Sequence, residues 1–227
     1  MAIVELKGAD KVYRQGNIHV HALRGIYLSI ASGGFVAIAG PSGSGKTTLL
    51  NMIGGLDLPD QGEVIVDGRH YSEMSQSELA GLRLMRIGFV FQAYNLIPVL
   101  SALENVEYVM LLQGVEKSER RERAMAMLEE VGLGDKVHHR PAELSGGQQQ
   151  RVAVARAIVS NPAIVLADEP TANLDSKTGE GLLKIMAGMN DKRNVTFIFS
   201  THDHMVMDYA RRLVHLRDGK IDNDRFK

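Results

Sequence analysis

The chain contains no cysteine. That excludes disulfide staples, thiolate metal sites and a cysteine nucleophile, and it suits a reducing compartment. It also lacks a charge excess. Its 26 Lys and Arg stand against 27 Asp and Glu, a formal net charge of −1, so no global basic field draws it to nucleic acid or to an anionic membrane. No apolar run approaches the roughly 20 residues of a membrane span. The opening "MAIVELKGADKVYRQG" mixes acids and bases early and has no apolar h-region, so no secretion signal is expected. The protein is expected to stay on the side where it is made, with any membrane role coming through a partner. Internal repeats and low-complexity segments are missing too.

What is present suits one domain, or one domain with a small inserted lobe. The chain has 227 residues, 44% hydrophobic and 23% charged, enough to bury a real core. "AIVELKGADKVY" and "VHALRGIYLSI" alternate as strands of a half-exposed sheet do. "FVAIA" (35–39) reads as a fully buried strand, and a helix starts at Thr47 and runs to about Gly54. "GEVIVDG" (62–68) reads as a further strand ended by Asp-Gly. From about Ala93 to Ser160 the pattern turns helical. There Ala124, Met127, Leu128 and Val131 fall at helical spacing, with Ser118 as N-cap and Gly132 or Gly134 as stop. The charges Glu119, Arg120, Arg121 and Glu122 read as a solvated helix face. Three β-type runs follow, 163–167, 195–199 and 212–216, the first two separated by a helical stretch over 178–189. Buried strands alternating with helices predict a parallel α/β sheet, into which a helical lobe, about 92–160, is inserted.

"GPSGSGKT" (40–47) fits G-x-x-x-x-G-K-[ST], after a buried strand and before a helix. Phosphate oxygens need several donors converging from one side, and backbone N–H groups supply them only where no Cβ blocks the approach; hence Gly43 and Gly45. The following helix directs its positive end at the anion. Lys46 adds a mobile cation, and Thr47 offers a hydroxyl to Mg²⁺, a hard ion that takes oxygen ligands. The loop is expected to hold a nucleoside triphosphate. Its partner carboxylates stand in "AIVLADEP", where Asp168, at the end of a strand, can face the metal and Glu169 can act as general base on the attacking water. Read alone, such an acidic pair is common where a strand gives way to a loop.

"ELSGGQQQRVAVARAIV" (143–159) repeats the physics: Ser145, Gly146 and Gly147 open a helix whose apolar face includes Val152, Ala155, Ile158 and Val159. Bare N–H groups, a hydroxyl and a helix N-terminus form a second anion site. An N-cap serine on a flexible turn would look the same. One triphosphate does not need two such helix ends.

With "LSGGQ" (144–148), 40–47 and "IVLADE" in place, the chain resembles the nucleotide-binding subunit of an ABC transporter, over essentially its whole length. The resemblance implies an α/β fold: a RecA-like P-loop NTPase core with an N-terminal antiparallel β subdomain and an inserted helical subdomain. The whole chain, 1–227, would be one ATPase domain, with 1–91 and 161–227 as the core and 92–160 as the signature-bearing lobe. It implies an ATP hydrolase that uses ATP and Mg²⁺. Glu169 and His202 would be catalytic. Nucleotide would be bound by Tyr13, stacked on adenine, by Gly40, Pro41, Ser42, Gly43, Ser44, Gly45, Lys46, Thr47 and Thr48, and by Gln92. Ser145, Gly146, Gly147, Gln148 and the D-loop Asp175 would complete that set. Thr47, Gln92 and Asp168 would hold the metal. Two copies would pack head to tail, the loop of each facing the "LSGGQ" of the other with ATP between. His138 and His139 read as surface residues without a role.

"GPSGSGKTTLLNMIGGLD", "GFVFQAYNLIPVLSALENV" and "LADEPTANLDS" are similar to the branch of lipoprotein-release, macrolide-exporter and cell-division ATPases (LolD, MacB and FtsE types). That likeness implies a membrane permease partner with four spans and a large extracytoplasmic domain, and no nucleic-acid partner. The chain would sit in the cytoplasm, peripheral on the inner face of the membrane. The apolar 95–106 stretch is either a docking site for that partner or part of the lobe's core. Export or lipoprotein release is the leading expectation; the alternative is an FtsE-like regulator of a cell-envelope or division complex that transports nothing.

Overall fold

The computed structural model describes residues 1–16 and 18–227. β1 (Ala2–Gln15) and β2 (Ile18–Ala31) are long antiparallel strands, and β3 (Phe35–Ala39) leads into α1 (Lys46–Ile53). β4 (Gln61–Val66), β5 (Arg69–His70), α2 (Gln76–Arg86) and β6 (Ile87–Val90) come next. Then α3 (Ala102–Leu112), α4 (Lys117–Glu130) and α5 (Gly146–Ile158) form the helical stretch. β7 (Ile164–Asp168), α6 (Ser176–Arg193), β8 (Thr196–Thr201), α7 (His204–Tyr209), β9 (Arg212–Arg217) and β10 (Lys220–Phe226) complete the chain.

The strands form two sheets. One is four-stranded and antiparallel in the order β2-β1-β4-β5; the other is six-stranded in the order β10-β9-β3-β8-β7-β6. In the second, β9, β3, β8, β7 and β6 run parallel and β10 pairs antiparallel with β9. Side chains alternate across a strand, and here the alternation divides two cores. Phe35, Ala37, Val165, Ala167, Phe197 and Phe199 face the core shared with α3, α4, α5 and α6. Val36, Ile38, Ile164, Leu166 and Ile198 face the core shared with α1 and the antiparallel sheet. Both faces are covered, which is why these strands are continuously apolar rather than amphipathic. The rings of Phe35 and Phe199 lie 4.8 Å apart in a tilted pair, and truncating Phe199 to Ala would cost about 3–5 kcal/mol.

Two local expectations are corrected. α4 is capped by Glu116, whose carboxylate accepts from the Ser118 backbone N–H at 2.6 Å, and the Ser118 hydroxyl is turned back onto that same carboxylate. An acceptor at the extended residue before the helix serves its orphan N–H groups, and Ser118 is already inside. The helical stretch also begins later than Ala93. Residues 92–101 carry no helix: Tyr94 and Asn95 are left-handed (φ 61° and 49°), and Pro98 disfavours helical backbone at Ile97. Ser101 and Glu104 then start α3 with a reciprocal capping box.

Parallel strands end at the same edge of their sheet. The C-terminal ends of β3, β6, β7 and β8 therefore deliver the 40–46 loop, Gln92, Asp168–Glu169 and His202 to one side, the edge at which open α/β sheets hold ligands.

Candidate active site

The loop between β3 and α1 is shaped by glycines. Gly43 (φ 79°) has open space where a side chain would project. Gly45 (φ 103°) is left-handed, and a side chain there would run into the Ala22 carbonyl, so only glycine fits. The Lys46 side chain folds back over the loop and donates to Gly40 O at 2.9 Å and Pro41 O at 3.0 Å. It is 7% exposed and makes no ion pair among the described residues. A buried ammonium held only by carbonyls favours an anion beside it.

Thr47 Oγ1 lies 3.2 Å from both oxygens of Asp168. Two hard oxygen donors side by side at the loop suit Mg²⁺, which takes few protein ligands and fills its shell with water and phosphate. No group of three or more His, Asp or Glu among the described residues could hold a metal by itself, so a protein-only cage is not what this site offers.

Glu169 has a left-handed backbone (φ 46°), its N–H donating to Ser200 O at 2.9 Å. One carboxylate oxygen meets His202 Nδ1 at 2.7 Å; the other accepts from the Thr201 hydroxyl at 3.2 Å and the His202 N–H at 3.4 Å. A carboxylate only accepts, so this contact places a proton on Nδ1. The glutamate side chain is 14% exposed and the histidine 69%. The base is thus sheltered while its partner reaches outward.

A cleft of about 670 Å³ joins these groups. Tyr13, Pro41–Gly43, Gly45–Thr48, Gln92, Glu169 and His202 line it. Gly40 and the buried Ser44 lie behind it in the loop, and Asp168 reaches it through Thr47. Five further residues singled out in the sequence are elsewhere. Ser145 and Gln148 form the capping box that starts α5. A side chain at Gly146 would meet the Tyr94 hydroxyl and one at Gly147 the Thr178 methyl, and Asp175 caps α6 through Thr178. The helix start expected to form a second anion site is therefore a separate surface, beside the start of α6.

Some side chains tie the site together without a motif to reveal them. Gln150 is fully buried on α5, and its amide donates to Pro170 O at 2.8 Å and to Phe91 O at 3.4 Å. Asn173 donates to Gln92 O at 2.9 Å. Arg156 donates to Asn95 O at 2.6 Å and Tyr94 O at 2.9 Å. The 91–95 segment is therefore held from α5 and from the stretch that follows Glu169. The one signal in the sequence is that Gln150 falls on the inward side of α5, among Val152, Ala153, Val154, Ala157 and Ile158.

The family described as ABC transporter matches residues 23–172. The chain is 49% identical to a Thermotoga maritima protein described as an uncharacterized ABC transporter ATP-binding protein, over 97% of this chain and 94% of that one. It is 48% identical to the macrolide export ATP-binding/permease protein MacB of Syntrophobacter fumaroxidans, over 98% of this chain but 31% of that longer protein. Among solved structures it matches the ATP-binding cassette MJ0796 in a dimeric, post-hydrolysis state bound to ADP and Pi, with a TM-score of 0.91, 44% identity and 98% of each chain covered. MJ0796 comes from Methanocaldococcus jannaschii.

Proposed function

Given that this chain belongs to the ABC transporter family and is an ATP-hydrolysing cassette of that kind, we propose that it powers an export or lipoprotein-release machine as a head-to-tail dimer. The observation that carries the chemistry is the Glu169–His202 pair at the mouth of the loop-lined cleft. In this reading the triphosphate lies along 40–48 with Lys46 on its outer phosphates, and Tyr13 stacks on the base. Water attacks the γ-phosphorus, the bond to the β–γ bridging oxygen breaks, and Glu169 accepts the water's proton. His202 holds the carboxylate in line through Nδ1 and presents Nε2 toward the reacting phosphate. Thr47, Asp168 and Gln92 would hold Mg²⁺, which supplies positive charge to the phosphate oxygens.

Ser145–Gln148 and Asp175 lie outside the cleft, which supports their acting on the nucleotide of a second copy. Closure around two ATP and opening after hydrolysis would then be the power stroke. We read 1–227 as one ATPase domain, with 92–160 as the lobe that carries the second anion site. No helix among the described residues is long and apolar enough to cross a membrane; in this reading the stroke is passed to a permease. A groove of about 330 Å³ lined by Leu56, Leu84, Phe89, Phe91, Val109 and Arg156 suits an inserted helix of a permease. Val99, Leu111 and Leu112 are exposed, while Ala102, Leu103 and Val106 are core. The apolar 95–106 stretch therefore serves the lobe's interior and leaves Val99 for a partner. In this reading the chain sits on the cytoplasmic face of the membrane, held there by its partner.

The test is a tagged pull-down from detergent-solubilised membranes, with Glu169→Gln and ATP holding the dimer closed. Recovery of a four-span protein with a large extracytoplasmic domain supports the export reading. A division-site partner, or no membrane protein, overturns it in favour of a regulatory ATPase.

A further inference from the structure

Tyr13 is the one Phe, Tyr or Trp side chain lining the cleft among the described residues. It stands near the end of a long strand and is 41% exposed. Packing alone does not fix such a ring. Its hydroxyl donates to Asp57 Oδ2 at 2.7 Å. The other Asp57 oxygen takes Lys11 Nζ at 2.6 Å and the Leu58 N–H at 2.9 Å. Lys11 Nζ also donates to Leu58 O at 2.8 Å, and Asp60 accepts the Val12 N–H at 2.7 Å. The 57–60 turn therefore clasps residues 10–13 of β1. The same turn is fastened to α1, because the N–H groups of Leu56 and Asp57 both donate to Asn51 O. α1 begins at the phosphate loop.

We propose that Asp57, backed by Lys11, is the positioning residue for Tyr13: it references the ring to the phosphate loop through α1, at the separation that a base and its triphosphate require. Neither residue touches the cleft. The role of Lys11 is to keep Asp57 charged and aimed; its side chain is 12% exposed, and Asp57 is its close counter-ion. This inference rests on the reading of Tyr13 as the base-stacking residue.

The test compares ATP with inorganic tripolyphosphate, each titrated calorimetrically into the full chain in magnesium buffer. Tyr13→Phe keeps the ring and removes only the hydroxyl, so it reports even if Asp57→Ala folds poorly. Each of these two variants should weaken ATP binding roughly three- to tenfold, the value of one hydrogen bond, and leave tripolyphosphate within about twofold. The double variant should be no weaker than either alone, as expected for two residues acting through one contact. Equal losses for both ligands would mean that the turn only braces α1, and additive losses would mean that Asp57 acts on something other than Tyr13; either sinks the proposal. Tyr13→Ala separates it from the reading beneath. If that variant binds ATP normally, the stacking reading falls and the proposal with it. If it weakens ATP while Tyr13→Phe and Asp57→Ala do not, stacking stands and the positioning role is wrong.

Discussion

At Glu169 the backbone adopts a left-handed turn that a non-glycine residue enters at a cost on the order of 1 kcal/mol. That turn is held by the Ser200 carbonyl, and it brings the carboxylate back over the end of β8 to meet Thr201 and His202. Replacing the carboxylate by its amide keeps the shape and removes the proton acceptor. Glu169→Gln is therefore expected to bind ATP as the parent does and to lose at least about a hundredfold in hydrolysis, the usual contribution of a positioned base. Lys46→Ala should lose the binding itself. Equilibrium binding and single-turnover hydrolysis on the two variants check both; normal turnover by Glu169→Gln would remove the general-base role. Residues like these were legible in the sequence because their chemistry dictates type and spacing together. Asp57, Gln150 and Arg156 were not. Each acts through backbone or side-chain groups some 20 to 62 positions away, and no local pattern records such a meeting.

Among the elements, α3 has a plainly written start. Ser101 accepts from the Glu104 N–H at 3.2 Å, and the Glu104 carboxylate accepts from the Ser101 N–H at 2.8 Å. Ser101→Ala should cost about 1 kcal/mol, seen as a fall of roughly 2–4 °C in melting temperature for a chain of this size. The Glu104 carboxyl is held below its ordinary range first by the Ser101 backbone N–H and then by the hydroxyl. A carboxyl whose folded value is lowered stabilises the fold above its unfolded value, near pH 4, and loses that contribution as pH falls through the lower folded value. The destabilisation by Glu104→Ala should thus be full at neutral pH and shrink under acid, in melts run from pH 7 down to pH 3. A gap that stays constant would assign the effect to packing instead. Where the sequence misled, at Ser118, the reason is also local: a carboxylate two residues earlier served the same N–H groups. β6 went unread because the chain passes straight from Arg86 into Ile87 with no turn residue between them, although the Ser75–Glu78 capping box does mark the start of α2.

On the scale of the whole molecule, the phosphate loop and the Ser145–Gln148 helix start lie apart on one chain. If they act between copies, two defects that cannot be repaired within a chain can be repaired across the pair. Lys46→Ala and Ser145→Arg should each be inactive alone. Mixed, they form a dimer with one intact site, and part of the ATPase activity should return. No recovery on mixing would mean that the surfaces do not meet in trans. The α/β class and the order of motifs were readable in advance, since buried parallel strands announce themselves as apolar runs. The order of strands was not, because it depends on which strand lies beside which. That order has one more consequence. β3, β7 and β8 send odd-numbered apolar residues to one side and even-numbered ones to the other. The central sheet is thus a bulkhead: a defect that floods the compartment under α4 leaves the packing around α1 dry.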